Sequence, residues 1–264
     1  MTIKSENNIH SFKENLSEYL PGNSIDCIIF GYQNQELHIL LLQWKFTENW
    51  ALPGGFIDKE EDMDAAAKRI LFDRTNLTDI FLKQFHTFGN KKRGNDKNKF
   101  KPNLERNLLE QIFGESEAII NWLSNRFIST GYFALVDLEK TNPKPDLLSE
   151  KCEWKPLKEI PTLIMDHNEI ITKALEQLRI QLNHLPIGKA LLPTKFTMQD
   201  LQKLYEAILQ KPLERSNFQR KILKLDILNR HEKKMEGGSH KAPYLYSFDK
   251  IKYTELIKYG IGFL

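Results

Sequence analysis

The segment that most narrows what this chain can fold into runs from residue 52 to residue 77. It reads Leu52-Pro-Gly-Gly-Phe-Ile-Asp-Lys-Glu-Glu and then Ala65-Ala-Ala-Lys-Arg-Ile-Leu-Phe-Asp-Arg-Thr-Asn-Leu77. A glycine-rich turn opens it, and a helix is expected from about Asp62 to Thr75. Residues 70, 73 and 74 then stand at i, i+3 and i+4 on one helical face. That face carries an apolar group, a short acid and a fixed cation: Ile70, Asp73 and Arg74.

The stretch resembles a Nudix box whose catalytic end has been rewritten. The family pattern is Gly, five residues, Glu, seven residues, then Arg-Glu-apolar-x-Glu-Glu-x-Gly-apolar. Gly55, Glu61, Arg69, Leu71 and Leu77 fall in register with it, while Ile70, Asp73 and Arg74 replace the helix glutamates and Asn76 replaces the closing glycine. In active members, the resemblance implies, those glutamates hold divalent cations against a pyrophosphate. Magnesium needs oxygen ligands in near-octahedral array. Ile70 supplies none, Arg74 cannot deprotonate to make room, and one short acid beside an arginine is a poor two-metal site. No catalytic residue, metal or cofactor is therefore expected, and the chain is not read as an enzyme. The alternative is a hydrolase of a nucleoside diphosphate derivative such as ADP-ribose, with displaced metal ligands from Asp58, Glu60, Glu61 or Asp62. The resemblance also implies that Glu61 and Arg69 pair, pinning the loop to the helix, and Arg74 is suited to an anionic ligand.

A length of 264 residues allows two modest domains. Cys27 and Cys152 show neither metal nor redox spacing and are read as reduced and structural. The amino terminus lacks the apolar core of a secretory signal, and no apolar run reaches bilayer-spanning length. A cytoplasmic protein with no membrane partner is expected. Charge is uneven: residues 186–264 hold 15 Lys+Arg against 8 Asp+Glu, leaving 23 basic against 27 acidic residues in the rest. A basic end on an acidic body points to a polyanionic partner.

Apolar spacing predicts a short amphipathic helix over 10–20, ended by Pro21-Gly22. Strands are expected at Ile25–Phe30 and Leu37–Leu42 across the turn Gln33-Asn34-Gln35, then at Phe81–Gly89 and Arg126–Val136. Roughly thirty residues between the last two look inserted (about 94–125). They open on a basic run from Lys91 to Lys101, and a helical stretch from Leu104 to about Leu123 breaks near Gly114. The insertion is read as a surface elaboration, with a lid or dimer contact as the alternative. A strand ends near Glu153-Trp154, and a helix follows over about 168–184, with His167 at its start read as structural. Pro186–Pro193 marks a boundary between domains at 1–185 and 190–264.

Beyond it, Thr197-Met-Gln-Asp carries a capping-box pattern, leading a helix with Leu201, Leu204, Tyr205 and Ile208 on its apolar stripe. Lys211-Pro-Leu213 breaks it, and a second helix over Glu214–Lys224 buries Phe218, Ile222 and Leu225. Two helices across a short turn, the second basic outward, is the helix-turn-helix arrangement. Strand-capable runs flanking Gly237-Gly238 make a wing, with Lys233, Lys234, His240 and Lys241 near its tip. Lysines there suit phosphate contacts; Ser216, Gln219 and Arg220 are placed for base edges. The expected DNA-binding set is Arg215, Ser216, Asn217, Gln219, Arg220, Lys224, Lys233, Lys234 and Lys241.

The runs Phe196–Leu209 and Leu213–Leu223 resemble the winged-helix domain of the Nudix-related transcriptional regulators, the NrtR family. The resemblance implies an α+β chain: a Nudix α/β/α sandwich with a mixed sheet, then a winged helix-turn-helix domain. It further implies a homodimer on a double-stranded DNA operator, with a small-molecule effector in the Nudix-like domain. Loss of the metal site favours a sugar over an ADP-ribose-like nucleotide, and Trp44, Arg74, Arg93 and Arg126 are the candidate effector contacts.

Overall fold

The architecture comes from a computed structural model that describes residues 16–78, 80–91, 93, 109–114, 116–123, 125–184, 187–234 and 242–259. Strands β1 (Tyr19–Gln33) and β2 (Glu36–Trp44) form the opening hairpin. Asn34 and Gln35 take φ of 52° and 63°, the left-handed pair that a two-residue hairpin turn requires. Next come β3 (Trp50–Ala51), β4 (Gly54–Asp58), α1 (Met63–Thr75), β5 (Phe81–Phe88), α2 (Glu117–Leu123), β6 (Ile128–Leu135), β7 (Ser149–Pro156) and α3 (His167–His184). The sheet runs β3-β2-β1-β6-β5, with β4 added to β1 and β7 to β2. Among the pairings between these strands β1–β6 is parallel and the others antiparallel, so the sheet is mixed.

Side-chain alternation along β1 builds the two layers. Ile25, Cys27 and Ile29 pack against Ala66, Ala67, Ile70 and Leu71 of α1. Ile28 and Phe30 turn to the other face, where Ile170, Ala174 and Leu178 of α3 cover them. A strand buried on both faces explains the near-continuous apolar run at 25–30. Helix α1 has Asp62 as its N-cap residue and ends at Asn76 with φ 59°, whose amide bonds the Phe72 carbonyl. Asparagine is the side chain that best tolerates this left-handed position after glycine, so the replaced closing glycine leaves the helix end intact. Burial pushes the Cys27 thiol up and the Cys152 thiol to about 12, and both are free.

The helix expected over 10–20 is corrected. Leu16–Glu18 form one 3-10 turn, β1 already begins at Tyr19, and residues 10–15 lie outside the described residues. Gly22 does not stop the chain. At φ 70° it sits where the β1–β4 register shifts between Tyr19 and Ser24, so it bulges the strand instead. Strand β7 likewise runs through Glu153-Trp154 rather than ending there, pairing with β2 from His38↔Pro156 to Trp44↔Ser149.

The second domain contains β8 (Phe196–Thr197), α4 (Met198–Leu209), α5 (Arg215–Lys224), β9 (Leu228–Lys233), β10 (Tyr244–Phe248) and α6 (Lys250–Tyr259), its sheet ordered β8-β10-β9. The capping box forms: Thr197 Oγ1 accepts from the Asp200 amide at 3.1 Å, and Asp200 Oδ2 accepts from the Thr197 amide at 2.8 Å. One apolar cluster passes from Phe30 and Phe133 through Leu178 and Leu182 of α3 to Leu204, Ile208, Phe218 and Tyr246. Arg179 of α3 adds hydrogen bonds to the Ile208 carbonyl (2.9 Å) and Gln210 Oε1 (2.6 Å) at the end of α4. The two halves therefore share a core. Among the described residues no helix is long and apolar enough to cross a membrane.

Candidate functional site

A cavity of about 320 Å³ opens between β1, the turn into α1 and the inserted segment. Two glycines shape its floor. A Cβ at Gly54 would lie 2.8 Å from the Ile25 carbonyl oxygen, so the turn can approach β1 only without a side chain. A Cβ at Gly55 would lie 2.9 Å from Ile70 Cδ1, and Ile70 is buried. Asp73 and Arg74 also line the cavity. The i, i+3, i+4 face of the box thus meets one open space, with a single carboxylate on it.

Glu61 and Arg69 pair as expected: Arg69 Nε and Nη2 donate to the two carboxylate oxygens at 2.9 and 2.7 Å, and Nη2 also reaches the Phe56 carbonyl at 2.9 Å. This bond holds the Glu61 carboxyl below its ordinary range and raises Arg69. Glu61 is committed to the loop, and Asp58, Glu60 and Asp62 are not among the residues lining the cavity. The displaced-ligand set is not assembled there.

Beside the floor lies a buried polar cluster that sequence reasoning missed. Arg93 Nη2 donates to Asp26 Oδ2 at 2.7 Å, and its Nε donates to Asp166 Oδ2 at 2.8 Å. Its Nη1 bonds the Phe127 carbonyl at 3.3 Å, and Ser129 Oγ donates to Asp26 Oδ2 at 2.6 Å. His167 Nδ1 accepts from the Leu52 amide at 3.0 Å, which leaves its proton on Nε2, 3.7 Å from Asp26 Oδ1. Burial holds this imidazole below its usual range, against the opposing pull of Asp26. The structural reading of His167 therefore fits its place. The available signal was Asp26 itself, a lone acid inside an apolar strand.

The expected effector contacts divide. Trp44 and Arg74 line the cavity. Arg93 lines it too, with its guanidinium bonded to Asp26, Asp166 and the Phe127 carbonyl. Arg126 is exposed and donates to the Gly89 carbonyl, away from the cavity lining. Part of the insertion forms a wall instead of a remote elaboration. Residues 109–113 and α2 build a small core with Trp44, Leu147 and Leu148, and Leu109, Phe113 and Leu123 face the cavity. Trp122 stacks edge-on against Phe56 (4.6 Å) and Phe127 (5.2 Å), and Tyr19 joins them. A second, more open cleft lies between β2 and α4. Four of its charges are paired, Lys158 with Glu36 and Lys203 with Glu206, each at 2.8 Å, and Lys211 also lines it.

On the second domain, α5 buries Phe218 and Ile222 and presents Arg215, Ser216, Asn217, Arg220 and Lys224 to solvent, with Gln219 half-buried. Glu214 caps it, accepting from the Ser216 and Asn217 amides at 2.8 and 2.6 Å. Arg220 Nη2 donates to Asn217 Oδ1 at 3.0 Å, which holds it along the outward face. The wing strands pair as Tyr244↔Lys233 and Tyr246↔Arg230. Lys233 and Lys234 are exposed at their ends, and Lys241 lies outside the described residues. Tyr244 carries the Arg230 guanidinium 3.4 Å above its ring, a contact the sequence did not flag.

A NUDIX domain model matches residues 20–178, and a model of the NrtR DNA-binding winged helix domain matches residues 188–248. The chain is 28% identical over 235 residues to the ADPR responsive transcriptional repressor NtrR of Acinetobacter baylyi, covering 86% of this chain and 82% of that one. Its fold is similar to that of Shewanella oneidensis NrtR complexed with a 27mer DNA (TM-score 0.64, 23% identity, 88% of this chain and 95% of that one). It is also similar to that of a MutT/nudix family protein from Enterococcus faecalis (TM-score 0.59, 20% identity, 94% and 99%).

Proposed function

The chain belongs to the Nudix-related transcriptional regulators of the NrtR type, and from that premise we propose that it is a DNA-binding repressor released by an ADP-ribose-like nucleotide. The observation that carries this reading is a single helix. Helix α3 begins at His167, which lines the cavity, and twelve residues later its Arg179 bonds the end of α4, the helix that precedes α5. An effector that binds better to one placement of α3 shifts the population toward it, and the shift is limited by that difference in affinity.

The A. baylyi relative supports a nucleotide in place of the sugar expected from the lost metal site. So does the cavity, whose lining includes the rings of Trp44, Tyr19, Phe56 and Phe127 as well as Arg74. Rings of this kind stack on a base, and a guanidinium suits phosphate. The reaction chemistry of active relatives has lost its carboxylates at 70 and 74, so the box serves for binding. In DNA binding, Arg215, Ser216, Asn217, Gln219, Arg220 and Lys224 face the major groove, and Lys233, Lys234 and Lys241 meet phosphates. A homodimer on two half-sites follows the usual helix-turn-helix plan.

The test is fluorescence anisotropy on DNA from the gene's own upstream region at two salt concentrations. Site-selective binding is expected, lost in Arg220→Ala and reversed by ADP-ribose but not by ribose. Equal, weak binding to unrelated DNA would refute the repressor reading. Release by a neutral sugar alone would return the effector to the carbohydrate class.

A further inference from the structure

Three arginines line the cavity, and their hydrogen-bonding capacity is used very unequally. Arg69 is tied to Glu61 and the Phe56 carbonyl. Arg93 is tied to Asp26, Asp166 and the Phe127 carbonyl. Arg74 is different. Its side chain is 14% exposed, its Nε is buried with no hydrogen-bond partner, and the acid that pairs with it, Asp146 Oδ2, stands 3.9 Å from Nη2. Asp146 cannot easily close that gap. Its Oδ1 accepts from the Leu148 amide (3.0 Å) and Ser149 Oγ (2.6 Å), which fixes the carboxylate to its own turn. A largely buried guanidinium with an unpartnered N–H is costly, and its neighbouring acid is too far to hydrogen-bond it. Arg74 also occupies the place on α1 where the family pattern has a carboxylate for a cation.

We infer that Arg74 replaces the metal: it binds the diphosphate of the nucleotide directly, so effector binding needs no divalent cation. The planar fork of five donors matches two phosphate oxygens at once. Ile70 belongs to the same replacement. It fills the space over Gly55 with hydrocarbon and gives a competing cation no oxygen. Asp73 remains as one exposed carboxylate, short of a magnesium site.

This inference rests on the nucleotide reading of the same cavity, and the experiment separates the two. The full chain is titrated calorimetrically with ADP-ribose, inorganic pyrophosphate and adenosine, each in EDTA and in magnesium. Affinity for ADP-ribose is expected to agree within about twofold between the two buffers, and Arg74→Gln is expected to weaken it about 10- to 100-fold in both, the value of one charge-assisted bidentate contact. Adenosine should bind wild type and Arg74→Gln equally, since it lacks the anion. Arg74→Lys keeps the charge without the fork and should fall between. It also serves if the glutamine variant fails to fold. ADP-ribose binding that requires magnesium would overturn the inference while leaving the repressor intact. Metal-free pyrophosphate binding that depends on Arg74, without ADP-ribose binding, would keep the anion anchor and overturn the nucleotide reading. Failure of both anions to bind would overturn both.

Discussion

Ile70 Cδ1 occupies the space that Gly55 leaves free: a Cβ at residue 55 would come within 2.9 Å of it. The box position that in the family pattern holds a carboxylate has become part of the hydrophobic layer beneath the sheet, with Ala66, Ala67 and Ile57 around it. Restoring the acid is therefore not a repair.

Ile70→Glu is expected to destabilise the fold by about 2 kcal/mol, because a carboxylate there loses water and only Arg74, one turn on, offers a partial partner. Ile70 is only 2% exposed, which leaves little solvent to relieve it. Urea unfolding should show a lower midpoint with an unchanged slope. A variant within about 0.5 kcal/mol of wild type would mean that the contact with Gly55 is not held in solution.

Acid should weaken the fold through His167. Its folded-state pKa lies below the unfolded value because the ring is buried, so between the two values the unfolded chain binds more protons. Stability is then full above the unfolded pKa of about 6.5 and falls as pH drops below it. Protonation would also take away the Nδ1 lone pair that receives the Leu52 amide. His167→Gln keeps an acceptor and cannot titrate, so its unfolding free energy should lose this part of the slope below about pH 6.5. An identical slope in wild type and variant would assign the acid sensitivity elsewhere.

Much of this was legible in residues 25–42, 52–77 and 197–200, where alternation, glycine placement and helix capping act locally. Asn34-Gln35 turns the hairpin, Gly54 and Gly55 allow close approach, and the Thr197–Asp200 box starts α4. What was not legible depends on partners far along the chain. Arg93 and Asp26 are 67 residues apart, and no spacing rule links them. The segment at 16–22 failed for a related reason. Its apolar spacing suits a helix, but pairing of Tyr19 with Asp58 decides for a strand. The insertion could be bounded from sequence, whereas its role as a cavity wall rests on contacts of Leu109, Phe113 and Leu123 that only the packing reveals.

Arg179 is expected to carry the signal between domains without touching either ligand. It ties α3 to the Ile208 carbonyl and Gln210 at the end of α4. Arg179→Met retains the apolar stem and removes those bonds. ADP-ribose affinity and operator affinity measured singly should stay within about threefold of wild type, while their mutual antagonism shrinks by about 1 kcal/mol, inside the usual range for allosteric coupling. The check is operator affinity by anisotropy with and without saturating ADP-ribose. Undiminished release would mean that the apolar cluster alone transmits the change.

The recognition helix and the wing should fail in different ways. Arg220 lies on the exposed face of α5, held by Asn217, where a guanidinium reads base edges. Lys233 stands at the end of the wing strand, 5.4 Å from the Tyr244 ring, where an ammonium meets phosphate. Arg220→Ala should cost roughly 10- to 100-fold in affinity for the operator and little for unrelated DNA, because base contacts discriminate while phosphate contacts do not. Lys233→Ala should weaken both alike and reduce the slope of log affinity against log salt by about one. Anisotropy titrations over a salt series, on operator and scrambled duplexes, measure both quantities. Should Lys233→Ala change specificity and leave the salt slope as it was, the wing reads sequence and the division of labour drawn here is wrong.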